Sequence, residues 1–60
     1  MQAITNVSYS DRDALAAAEA LRQEAKGHVE TAETIKDLAG LDGHTDRQLR
    51  GLCDLFLVDV

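Results

Sequence analysis

The stretch Thr45–Val60 holds the densest apolar surface of the chain, and whatever fold forms has to cover it. Thr45 and Gln48 stand at capping-box spacing, so each side chain can satisfy the other's free backbone N–H at a helix start. Leu49, Leu52, Cys53 and Phe56 then recur at three- and four-residue steps, which places them on one helical face. Beyond Asp54 the pattern becomes Leu55-Phe56-Leu57-Val58, apolar on every side and containing the sole Phe. This segment is expected to be the hub that the rest of the chain packs against, with Phe56 as its main anchor.

The chain is 60 residues long and is read as one domain over 1–60. Such a chain buries only about 60% of its unfolded surface, so a single-chain core is marginal. Disulfides, metals and association are the usual remedies. A single cysteine excludes an internal disulfide, and Cys53, His28 and His44 fall short of a four-ligand zinc set. Association remains, either with a second copy or as a subunit of a hetero-complex. No secretion signal is recognisable, and no apolar run approaches the ~20 residues that span a bilayer. With a lone thiol, this predicts a cytoplasmic protein without membrane contact.

In chain order, Met1–Tyr9 alternates β-branched and polar residues and reads as a short extended segment, a strand only if something pairs with it. Ser10–Lys26 is the clearest helix, with Ser10 and Asp13 as a capping pair and Asp11 and Asp13 where the helix dipole favours negative charge. Ala14, Ala18, Leu21 and Ala25 form an alanine-rich seam, with Leu15 beside it, suited to close approach of another helix. Gly27 is a helix-ending residue, yet His28, Ala32, Ile35 and Ala39 continue the seam in register. A single long helix and two helices broken near Gly27 both fit; Gly-His-Val and the Thr31/Thr34 pair favour the break. Gly40 can cap the second helix, with Leu41 making the apolar contact of that cap, and Asp42-Gly43 supplies a turn. The expected fold is all-α, a small helical hairpin or bundle of two or three helices with a short extended N-terminus.

The chemistry points away from catalysis. His44 precedes its helix and lies about 13 Å of helix rise from Cys53, so the pair cannot act together in a regular helix. Cys53 between Leu52 and Phe56 reads as a core residue, and His28 as an interface or helix-end histidine. No phosphate loop, catalytic serine motif or metal spacing is present, so no cofactor or metal is expected. Glu30, Glu33 and Asp37 form an acidic stripe opposite Ala32 and Ile35. That stripe is either a solvated face or a dock for a basic surface.

Two DNA-binding patterns also occur. Leu38, Ala39, Gly43, Leu49 and Leu52 fall near helix-turn-helix positions, with His44, Thr45, Arg47, Gln48 and Arg50 opening a recognition helix. Asp42 and His44 stand where that unit is apolar. A ribbon-helix-helix dimer would present Gln2, Ile4 and Asn6 from paired strands. A net charge of −5 with six cations opposes direct phosphate binding in either case.

The expected function is therefore non-enzymatic binding of a protein partner, as inhibitor, adaptor or accessory subunit. A partner's basic, nucleic-acid-binding surface would meet Glu30, Glu33 and Asp37, and Leu55, Leu57 and Val58 would supply an apolar anchor. By analogy of size and charge alone, a phage- or plasmid-encoded modulator such as an anti-CRISPR-type inhibitor has this character. The competing expectation is a small dimeric DNA-binding regulator.

Overall fold

A computed structural model describes residues 9–60, which form three helices: α1 (Asp11–Ala25), α2 (Val29–Leu38) and α3 (Asp46–Leu55). The expectations for Met1–Ser8, including both strand arrangements, lie outside the described residues.

Helix starts follow the local chemistry of the sequence. Ser10 is extended, and its backbone N–H donates to the Asp13 carboxylate at 2.9 Å. At α3 the exchange is reciprocal: the Gln48 N–H donates to Thr45 Oγ1 at 3.2 Å, and the Thr45 N–H to Gln48 Oε1 at 2.8 Å. Four N–H groups at each helix start lack internal partners, so each such bond removes an unsatisfied donor.

All three helices end in the same motif. Gly27 (φ 89°), Gly40 (φ 73°) and Leu57 (φ 58°) each turn the chain through left-handed backbone just past the cap residue. The following residue then donates back across the last turn: His28 to the Gln23 carbonyl (2.8 Å), Leu41 to Lys36 (2.7 Å) and Val58 to Cys53 (2.9 Å). Gly27 therefore breaks the alanine seam into two helices, and His28 is a helix-end residue whose Nδ1–H donates to Gln23 Oε1 at 2.9 Å. The seam itself stops short: Ala25 and His28 are exposed.

The hub is α1 and not the C-terminal helix. Both α2 and α3 pack on α1, and no Cα of α2 comes within 8 Å of one in α3. The physical reason is the alanine content of α1. Ala14, Ala17, Ala18 and Ala20 are essentially fully buried beside Leu21, so a helix can approach on either side. The core joins Ala14, Ala17, Ala18 and Leu21 to Leu41, Leu49, Leu52 and Cys53. Its largest fully buried side chains are Leu41, Leu49 and Cys53, each of the leucines contributing about 1.5–3 kcal/mol by burial. Phe56, expected as the anchor, is only half-buried, because it caps α3 where the chain is already turning away. Leu41 donates its backbone N–H to the Lys36 carbonyl at that cap, and its side chain fills the core itself.

Candidate interaction surface

α2 buries one residue fully, Ala32, half-buries Ile35 and Lys36, and offers the rest of its surface outward. Glu30, Glu33 and Asp37 are all exposed on that helix, as their spacing requires. Glu33 pairs with Lys36 at 3.2 Å. The Lys36 side chain is only 11% exposed, its stem lying along the protein while its ammonium reaches the carboxylate.

The acidic character does not stop at α2. The Glu24 carboxyl of α1 is held above the ordinary carboxylate range, first by its hydrogen bond to Asp46 of α3 and then by that group's charge. Lys36 opposes this effect and Glu33 adds to it, so the Glu24 carboxyl feels charges from both of the other helices. Sequence spacing could not reveal this cluster, since Glu24 and Asp46 are joined only through tertiary packing. The neighbouring Glu19 shows the opposite effect: the Gln23 amide (2.7 Å) and Arg22 (3.0 Å) hold its carboxyl below the ordinary range.

The apolar end divides into outward and inward parts. Leu55 is 68% exposed and Leu57 is 91% exposed, whereas Val58 turns back against the core and is half-buried. As the residue after the left-handed Leu57, Val58 closes the end of α3 with its backbone N–H, and its side chain is the least exposed of the three. The acidic stripe and the apolar end stand on separate helices, with no Cα of α2 within 8 Å of one in α3.

Two of the surface grooves lie between or along these helices. One, between the start of α1 and the end of α2, is lined by Arg12, Asp13, Ala16, Ile35, Leu38 and Ala39. The other runs along α3 and is lined by Tyr9, His44, Gln48, Gly51, Leu52 and Leu55. At its head the Tyr9 hydroxyl and His44 Nε2 are 2.9 Å apart, and the rings meet edge to face at 5.9 Å. His44 Nδ1 faces the Leu41 carbonyl at 3.1 Å. A carbonyl only accepts, so Nδ1 carries the proton, and in the neutral ring Nε2 accepts from Tyr9. This contact ties the α3 entry loop to the start of α1.

Cys53 and His44 are each engaged elsewhere. The Cys53 thiol is buried and donates to the Ala14 carbonyl at 3.7 Å. Burial, and then the charge of Asp54, push its pKa up, which keeps it in the unreactive thiol form. Among the described residues no group of three or more His, Cys, Asp or Glu side chains is placed to hold a metal ion. No helix among them is long and apolar enough to cross a membrane.

No family model, curated protein or solved structure matches the chain.

Proposed function

We propose that this chain is a non-enzymatic binding protein that docks on a basic surface of a protein partner, as an inhibitor, adaptor or accessory subunit. The observation that carries this reading is the acidic surroundings of Glu24, whose carboxyl is raised by Asp46 and Glu33, with Lys36 as the opposing cation. Like charges held together raise the energy of the isolated chain, and a cationic partner would relieve that repulsion. Glu30 and Asp37 extend the negative face along α2, and Leu57 offers an exposed apolar contact at the end of α3. A nucleic-acid-binding surface on another protein has the matching chemistry, and a phage- or plasmid-encoded modulator is the kind of protein that would exploit it. The DNA-binding alternative gains nothing from the helices, since α2 and α3 lack the mutual packing of a helix-turn-helix unit.

The test is capture of the partner with tagged protein, followed by binding kinetics on the purified pair. Raising salt from 0.01 M to 0.1 M shortens the Debye length from about 30 Å to 10 Å, and the on-rate should fall across that range. Glu33→Lys with Asp37→Lys should slow association strongly while leaving helicity unchanged. An on-rate indifferent to both changes would remove the acidic surface from the mechanism.

A further inference from the structure

Three residues on the outer face of α3 are poor choices for an isolated helix, and a fourth is apolar yet exposed. Arg47, Gly51, Asp54 and Leu55 fall at positions i, i+4, i+7 and i+8, opposite the buried Leu49, Leu52 and Cys53. Gly51 lies inside the helix with no positive φ, and a Cβ built there meets nothing within 4 Å. Nothing within the chain requires glycine, the poorest helix former after proline. Arg47 stands in the first turn and Asp54 in the last, each at the end where the helix dipole disfavours its charge. Among the described residues neither forms an ion pair. Leu55 is 68% exposed beside the groove that Gly51 opens.

The four become complementary when a second helix of the same sequence runs antiparallel across this face. We propose that α3 is the two-fold face of a homodimer, with the helices closest at Gly51 and each Leu55 seated in the other copy's groove beside Gly51. Antiparallel alignment about Gly51 sets Arg47 of one copy against Asp54 of the other, twice by symmetry. The missing Cβ then permits the approach, and each misplaced charge meets its opposite. Knob and groove lie one turn apart on one helix, which is the self-complementarity that a two-fold interface needs. The face is a single ten-residue helix, smaller than the ~800 Å² per partner of a standard interface, so a weak, reversible dimer is expected. The dimer uses the Arg47–Leu55 face of α3, whereas the docking of a basic partner centres on the carboxylates of α2.

Sedimentation equilibrium of the full chain at near-physiological salt, from micromolar to millimolar concentration, tests it. The expected result is a reversible monomer–dimer equilibrium. Gly51→Gln should raise the unfolding temperature, having open space for its side chain, and abolish the dimer. Arg47→Glu and Asp54→Lys should each weaken association about tenfold, and the two together should restore it. Both charge variants suit the helix dipole, so loss of fold would not mimic the effect; circular dichroism checks this. A wild type monomeric throughout would overturn the dimer. Dimers that Gly51→Gln leaves intact, or that the paired charge exchange fails to restore, would overturn this face as its interface.

Discussion

α2 and α3 are both ten residues long and both lie against α1, yet they do different work. α3 buries Leu49, Leu52 and Cys53 in the core, whereas α2 buries only Ala32. The apolar residues of α2 are largely outside: Val29 is exposed, Leu38 is 84% exposed and Ile35 is half-buried. The one residue that α2 buries fully is thus a small one, and its burial removes little apolar area from water. One helix holds the fold and the other carries surface. Since α2 also bears Glu30, Glu33 and Asp37, the less anchored helix is the one that presents most of the acidic face.

Core truncation should show this division most strongly. Leu49→Ala removes a fully buried side chain and should cost about 2–5 kcal/mol, comparable with the whole stability of so small a domain. Circular dichroism should find the variant largely unfolded. Ile35→Ala, at a half-buried site on α2, should cost about 1 kcal/mol, and its melt should stay cooperative. Equal losses at the two sites would mean that α2 is as firmly built in as α3.

The two helix ends give a second contrast. α2 turns through Gly40 and α3 through Leu57, at the same point of the same motif. Left-handed backbone costs a residue with a Cβ roughly 1–2 kcal/mol. Leu57→Gly should therefore stabilise the protein by about 1 kcal/mol, and Gly40→Ala should destabilise it by a similar amount. Chemical denaturation of both variants decides the signs. If Leu57→Gly also weakens binding to the partner, the strained, exposed leucine serves recognition at the expense of stability.

The smallest effect lies where Glu24 meets Asp46. Glu24 is raised in the folded state, so folding favours its protonated form: the benefit is present at low pH and is lost as pH rises through the folded-state pKa. At neutral pH the charged pair is a mild liability, limited by its exposure to solvent. Glu24→Gln should raise the neutral-pH melting temperature slightly and narrow its difference from the value at mildly acidic pH. A lower melting temperature at neutral pH would show that Lys36 outweighs Asp46 in this neighbourhood.

Much of this architecture is readable from local signals, and the failures have physical causes. The capping box at Thr45 and Gln48, the break at Gly27 and the burial of Cys53 depend on spacing and residue type alone, and all three hold. The choice of hub fails because apolar density is a poor guide to centrality here. Ala17 and Ala20 carry little hydrophobicity each, but their small size lets α1 be approached from two sides. Phe56 is misjudged as the main anchor for a related reason. No glycine marks the end of α3, so nothing in the sequence warns that the chain turns at Leu57 and folds Val58 inward. Of the candidate surface, Glu30, Glu33 and Asp37 are legible as a helical stripe. Glu24, Asp46 and the Tyr9–His44 contact join only through tertiary packing.

Native-state hydrogen exchange measures the contrast between α2 and α3 most directly. α2 has few buried apolar contacts, so its amides should exchange through a local opening of lower free energy than global unfolding. The slowest amides of α1 and α3 should instead exchange together, at the free energy obtained from chemical denaturation. If the best-protected amides of α2 match those of α3, the two helices unfold as one unit and the division between scaffold and surface is wrong.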